Sequence, residues 1–312
     1  MSRPTERVTI PPLVRRGFGA AQAVSLSLAV RVAERLFFTP PKTSSSTDTE
    51  DFLRTGRQFS LLADGRLVVG WRWGSGPVVY LAHGWGSRGG RLAAFLAPLV
   101  AAGHAVVTWD APGHGASGRG MSSVPEFARA LAAVVANQGT AHAIIGHSMG
   151  ASATALAASW GVTARRFAFI APAANLGRSA STFATALGVR PEVMQGLRAR
   201  TEKRLRFSWE ELDVPTIAAG MTAPLLVVHD REDPTVPFSE GERIAAAWPD
   251  ARLVETRGLG HRILVRDPKV VGEVIEFVTG IECADVMAMT AEHSQLERYL
   301  FKRDGRLDGW AA

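Results

Sequence analysis

The chain has 312 residues, of which 46% are hydrophobic and 21% charged, a balance that supports a large buried core and excludes both a disordered chain and a bundle of membrane spans. Its one cysteine, Cys283, excludes an intramolecular disulfide framework and leaves too few thiols for a structural zinc site. The formal net charge is +6, but residues 1–42 set six Arg and Lys42 against Glu6 and Glu34, which is +5, so the rest of the chain carries only +1; with no basic run interleaved with aromatics, nucleic acid is excluded as a partner.

The first segment, residues 1–50, reads as a helix and a linker. Gly17 to Val30 is uncharged and apolar or small, flanked by Arg15, Arg16 and Arg31, and is too short for the roughly 20 residues of a bilayer span. Arg15-Arg16-Gly17-Phe18 has a faint twin-arginine look, yet no Ala-x-Ala cleavage site follows the apolar run that ends at Val30, and Arg31, Glu34 and Arg35 stand where an export signal needs small neutral residues. The expectation is a cytoplasmic chain whose residues 13–38 form one helix, Leu13 to Phe38, laid on the body of the protein or peripherally on a membrane surface. Pro40, Pro41 and the Ser/Thr run of residues 43–49 make the linker.

Residues 51–280 form the main body. Arg57 to Ala63 and Arg66 to Trp73 read as a strand pair turned at Asp64-Gly65. Short apolar runs bounded by Gly, Pro or Asp then recur at Pro77 to Ala82, Ala105 to Trp109, Ala143 to Gly146, Phe167 to Ile170, Leu225 to Val228 and Arg252 to Glu255. Ala-rich helical stretches lie between them at Arg91 to Ala102, Pro125 to Ala136, Ala151 to Trp160 and Glu240 to Ala247. This alternation predicts the α/β class, a mostly parallel sheet with helices on both faces. Residues 172–222 interrupt the rhythm with Phe183, Leu187, Met194, Leu197, Leu205, Phe207 and Trp209 among Arg and Glu, a pattern for two or three short amphipathic helices. Residues 281–312 read as a C-terminal helical tail.

In such sheets chemistry collects at the carboxyl ends of the strands. Ile144-Ile145-Gly146-His147-Ser148-Met149-Gly150 has the form Gly-x-Ser-x-Gly between a strand and a helix. That setting needs a very sharp turn which strains the serine backbone, with Gly146 and Gly150 letting chains approach, and it puts Ser148 at a helix N-terminus where N–H groups favour developing negative charge. Ser148 is the candidate nucleophile.

From about Arg57 to Phe277 the sequence resembles the α/β-hydrolase superfamily, and four further motifs carry the likeness in chain order. His83-Gly84-Trp85-Gly86 matches its oxyanion loop, Asp110 to Ser117 its tight Asp-x-x-Gly-His-Gly-x-Ser turn, Asp233-Pro234-Thr235-Val236-Pro237 its acid loop, and Gly258-Leu259-Gly260-His261 its histidine loop. The resemblance implies the order Ser, Asp, His for a triad, a small helical cap at residues 172–222, and an oxyanion hole of the Trp85 and Met149 backbone N–H groups.

Chemistry narrows the choice of base. A serine hydroxyl needs a group to take its proton, and a neutral imidazole does so near neutrality. His104, His142 and His293 fall before strands or in the tail, His147 cannot readily curl back onto its neighbour, and His83 and His114 belong to turns. His229 reads as a strand-end residue lining the site. His261, in a Gly-rich loop after the last strand, is free to reach inward. Among Asp230, Glu232 and Asp233, the resemblance favours Asp233, because Asp230 stands where the family has Gly. Asp110 and Ser117 fit turn-tying hydrogen bonds better than catalysis.

These residues imply a serine hydrolase of the carboxylesterase kind acting on a neutral, moderately hydrophobic small-molecule ester of short to medium acyl chain, with no metal and no organic cofactor. Thioesterase, carbon-carbon hydrolase and acyltransferase chemistry share the same triad, and a non-catalytic small-molecule binding protein shares the same scaffold. The oligomeric state is not legible.

Overall fold

The computed structural model describes residues 10–41, 47–282, 284–286 and 288, so Cys283, His293 and most of the tail expected at 281–312 lie outside the described residues. Eight strands form one sheet: β1 (Arg57–Ala63), β2 (Arg66–Trp73), β3 (Val78–Ala82), β4 (Ala105–Asp110), β5 (Ala141–His147), β6 (Ala164–Ile170), β7 (Leu225–Asp230) and β8 (Ala251–Thr256). Their spatial order is β1-β2-β4-β3-β5-β6-β7-β8. β2 pairs antiparallel with β1 and β4, and every other pair is parallel, which is the mostly parallel α/β sheet read from the alternation of apolar runs.

The helices, in chain order, are α1 (Pro12–Val24), α2 (Leu26–Phe38), α3 (Thr47–Arg54), α4 (Leu96–Ala101), α5 (Val124–Gln138), α6 (Met149–Ser159), α7 (Leu176–Leu187), α8 (Pro191–Leu205), α9 (Val214–Ala218), α10 (Phe238–Ala247), α11 (Gly260–Ile263) and α12 (Pro268–Thr279). The sheet is covered on both faces because successive strand residues alternate sides. Tyr80 and Ile144 face one apolar layer with Phe127 and Leu131 of α5, Leu156 of α6 and Ile244 of α10. Val79, Leu81 and Ile145 face the other, with Leu96 and Leu99 of α4 and Val274 and Ile275 of α12. Tyr80, Ile144, Val79 and Ile145 are fully buried, and truncating either isoleucine to Ala would cost about 2–5 kcal/mol.

The N-terminal segment differs from a single helix over 13–38. Ser25 is extended (φ −160°, ψ 128°), and its side chain accepts a hydrogen bond from the Leu28 amide, so the chain stops α1 and caps α2 at one residue. Ser prefers a cap to a helix interior because its hydroxyl competes for backbone N–H groups. The Ser/Thr linker is also shorter than read, since Thr47 already begins α3. Between β6 and β7 the chain inserts α7, α8 and α9. Phe18, Ala29, Val30 and Ala33 of α1 and α2 bury against Leu187, Val193 and Leu197 of that insertion, with Phe183 and Met194 packed alongside. Buried Glu34 seals the contact through Arg200 and Arg204 of α8. The insertion's apolar side chains thus serve largely to hold the N-terminal helices.

Candidate active site

The tight turn between β5 and α6 forces Ser148 into a positive φ (54°, ψ −121°), a region that non-glycine residues rarely occupy and that functional sites tend to retain. Gly146 and Gly150 make the turn feasible. A Cβ at Gly146 would stand 2.7 Å from the Ala151 Cα, and one at Gly150 would stand 2.3 Å from the Ala82 carbonyl oxygen. The Ser148 amide donates to the Ile170 carbonyl at 3.0 Å, fixing the elbow to β6.

Over this turn lies the loop after β3. A Cβ at Gly84 would stand 3.0 Å from the Cβ of Ser148, so the Gly84–Trp85 backbone passes directly against the serine. Among the described residues the amides of Trp85 and Met149 donate to no protein acceptor. The loop is held by two imidazoles. His83 Nδ1–H donates to the Gly84 carbonyl (2.7 Å) while its Nε2 accepts from the Ala111 amide (3.0 Å). His114 Nε2 accepts from the Gly86 amide (3.1 Å), and its ring meets that of Trp85 edge to face at 5.4 Å between centroids. Both accept through a lone pair, so both are neutral; burial lowers His83 to about 4 and His114 to about 3. Asp110 ties the adjoining turn, accepting from the amides of Gly89 and Ala116 at 2.7 Å each and, through its carbonyl, from Ser117.

The loops after β7 and β8 meet on the other side. His261 Nδ1–H donates to Oδ2 of Asp233 at 2.7 Å, while the other Asp233 oxygen accepts from the amides of Thr235 (2.8 Å) and Val236 (2.9 Å). Burial pushes the Asp233 carboxyl up, but bonds from His229, His261 and Val236 outweigh it and hold the group well below the usual carboxylate range. With the Nδ1 proton committed to Asp233, the neutral imidazole of His261 keeps its lone pair on Nε2. Asp230 is used differently. It accepts from the Thr256 hydroxyl (2.7 Å) and the amides of Leu259 (3.0 Å) and Glu232 (2.9 Å), pinning the histidine loop to the end of β7 without touching the His261 ring.

Two further histidines matter here. His147 sends Nε2–H to the His261 carbonyl at 3.1 Å, and the two rings lie 4.8 Å apart between centroids, so the residue preceding Ser148 docks the histidine loop against the elbow. Burial and the nearby His261 hold His147 well below the ordinary imidazole value. His229 is buried at the end of β7 with Nε2 3.1 Å from the Val236 carbonyl and 3.4 Å from Oδ2 of Asp233. The sequence marked it only as a residue lining the site. Its spacing of four before Asp233 was the available signal, and the curl of the intervening loop decides the contact. Glu240, which sequence reasoning passed over, accepts from the amides of Ala174 (2.6 Å) and Asn175 (2.9 Å) and anchors the start of the insertion after β6.

Comparison with known proteins identifies the family and the shared fold. The model of a family described as the alpha/beta hydrolase family matches residues 79–274. Among solved structures, a bromoperoxidase from Bacillus anthracis superposes with a TM-score of 0.56 at 18% identity, covering 72% of this chain and 100% of its own. An esterase from Rhodococcus sp. ECU1013 does so at 0.55 and 19%, covering 72% and 98%. A membrane phospholipase A described as a bacterial virulence factor gives 0.56 and 19%, covering 86% and 95%. At such identities these likenesses establish the shared fold. No helix among the described residues is long and apolar enough to cross a membrane.

Proposed function

Because the chain belongs to the alpha/beta hydrolase family, we propose that it is a serine hydrolase of the carboxylesterase kind in which Ser148, His261 and Asp233 act as nucleophile, general base and tautomer-fixing acid. The observation that carries this reading is the 2.7 Å hydrogen bond from His261 Nδ1 to Asp233, which leaves Nε2 as the proton acceptor on a loop docked against the elbow. Ser148 Oγ attacks the ester carbonyl as His261 takes its proton. The carbonyl oxygen gains negative charge and is met by the amides of Trp85 and Met149. His261 then gives the proton to the departing alcohol, and a water activated by the same imidazole releases the acid.

The acyl group is uncharged and of short to medium length, because much of the insertion's apolar surface is already filled by α1 and α2. Ser148→Ala tests the assignment: hydrolysis of p-nitrophenyl butyrate falls to background while the circular dichroism spectrum is kept. Retained turnover would contradict it.

The same reading sets α1 and α2 against an anionic membrane surface. Leu13 and Val24 are 81% and 78% exposed and, eleven residues or about three turns apart, share one helix face. Arg15, Arg16, Arg31 and Arg35 lie on the same two helices, an arrangement that favours the boundary of an anionic bilayer.

A further inference from the structure

A cavity of about 1210 Å³ lies beside the loop that passes over Ser148, bounded by α2, by Pro40 and Pro41, by the turn of residues 113–121 and by α8. Five arginines, Arg31, Arg35, Arg88, Arg119 and Arg200, line it, with Glu34 the one carboxylate among the lining residues. Glu34 is moreover shared, since it pairs with both Arg200 and Arg204. Arg31 bonds only the Ser27 hydroxyl (3.0 Å), and no carboxylate lies within ion-pair distance of Arg31, Arg35 or Arg119 among the described residues. His114, also in the wall, is neutral. The guanidinium groups of Arg31, Arg35 and Arg119 thus gather in one concavity with no carboxylate paired to them among the described residues.

A surface that only needs solubility scatters its charges and mixes their signs. Guanidinium groups gathered in a cleft repel one another and focus a positive field, which an anion of more than one charge would relieve. A phosphate monoester carries about −1.5 to −2 at neutral pH and offers several acceptor oxygens to the planar forks of arginine. A carboxylate would neutralise only one charge.

The cavity's position links it to the chemistry. Ser87 and Arg88 form part of its wall, and the Ser87 amide donates to the Gly84 carbonyl at 3.3 Å, closing a turn whose first residue lies against Ser148. Pro41 packs on Gly86 from the α2 side. From these contacts the geometry points to a substrate class: a carboxylic ester whose alcohol part bears a phosphate, held by the arginines while its acyl part reaches Ser148. The substrate clause rests on the reading of Ser148 as nucleophile. In the reaction the Oγ–acyl bond forms, the acyl–alkoxy bond breaks, the alkoxide takes the serine proton through His261, and water then cleaves the acyl–serine bond. The phosphate ester is untouched, and no redox partner is needed.

Calorimetric titration of the full chain with glycerol 3-phosphate separates binding from turnover. Binding is expected, with Kd weakening as salt rises and at least tenfold weaker in Arg31→Gln/Arg35→Gln and in Arg119→Gln, whereas glycerol gives no heat. A second arm compares kcat/KM for butyryl glycerol 3-phosphate with that for p-nitrophenyl butyrate. Their ratio falls tenfold or more in the arginine variants and is unchanged in Arg165→Gln, which removes the same charge at the amino end of β6. A third arm sets lysophosphatidate in vesicles against the soluble butyryl ester. Preference for the vesicle form identifies a lipid headgroup, and preference for the soluble form a free organic phosphate. No binding of glycerol 3-phosphate, or binding indifferent to all three arginines, overturns the proposal. Binding by a chain that hydrolyses no ester upholds the phosphate site and overturns the nucleophile assignment instead.

Discussion

Nδ1 of His261 stands 2.7 Å from Oδ2 of Asp233, while Asp230, three residues earlier, spends its oxygens on Thr256, Leu259 and Glu232. Two carboxylates on one loop therefore have separable duties. Asp233→Asn should lower kcat on p-nitrophenyl butyrate by about four orders of magnitude, the loss expected when the imidazole tautomer is no longer fixed. Asp230→Asn should lower kcat far less and instead destabilise the fold by roughly 1–3 kcal/mol as buried donors lose their acceptor. Steady-state kinetics and urea unfolding on both variants check this, and the reverse ranking would transfer the acid to Asp230.

A pH dependence of stability follows from the neutral imidazoles that brace the loop over Ser148. His83 and His114 have folded pKa values of about 4 and about 3, below the 6.5 of a free imidazole. Protonation therefore favours the unfolded chain: their contribution is complete above pH 6.5 and is lost as pH falls from 6.5 towards 4 and 3. At about 1.4 kcal/mol per pKa unit, His83 alone accounts for roughly 3 kcal/mol. Thermal unfolding should show Tm falling steadily between pH 7 and pH 4.5, with the two rings still unprotonated at pH 5.5 by NMR. A charged His83 at pH 5.5 would contradict the account.

The acyl preference should be bounded. Each buried methylene contributes about 0.8 kcal/mol, so kcat/KM across p-nitrophenyl esters from acetate to palmitate should climb until the pocket fills. A maximum at about four to eight carbons is expected from the same burial argument. An optimum at palmitate would mean that α7 and α8 move away from α1 and α2 to admit substrate.

Membrane contact is tested by exposure rather than by deletion, because removing α2 would uncover Val30 and Ala33 against α8. Leu13→Ser/Val24→Ser should reduce co-sedimentation with anionic vesicles at low salt while leaving hydrolysis of p-nitrophenyl butyrate in solution intact. A wild-type chain that ignores such vesicles would reduce the two helices to a packing role.

The strands were legible because each parallel strand is buried on both faces and so appears as an apolar run closed by Gly, Pro or Asp, as in Leu225 to Asp230. The strained turn at Ser148 was legible because it demands glycines at fixed offsets, and the place of His261 on a loop after the last strand because that loop is Gly-rich. The break at Ser25 was not, since a serine within an apolar stretch suits a helix interior or a cap, and packing on α8 decides between them. Nor was the approach of His229 to Asp233, which depends on how residues 231–236 fold back. Periodicity marked Leu187 and Leu197 as buried-face residues of a helix but carried no record of the surface they meet, and that surface is α1 and α2. The arginine-lined cavity was also hidden, because its members come from segments as distant as Arg31 and Arg200.

The central claim is that Ser148 is an activated nucleophile, and covalent capture tests it most directly. The full-length protein is treated with a fluorophosphonate at neutral pH, digested and mapped by peptide mass spectrometry. The account predicts stoichiometric labelling on Ser148, abolished in Ser148→Ala and strongly slowed in Asp233→Asn. A folded protein that takes up no label, or takes it up equally well after Ser148→Ala, would contradict it.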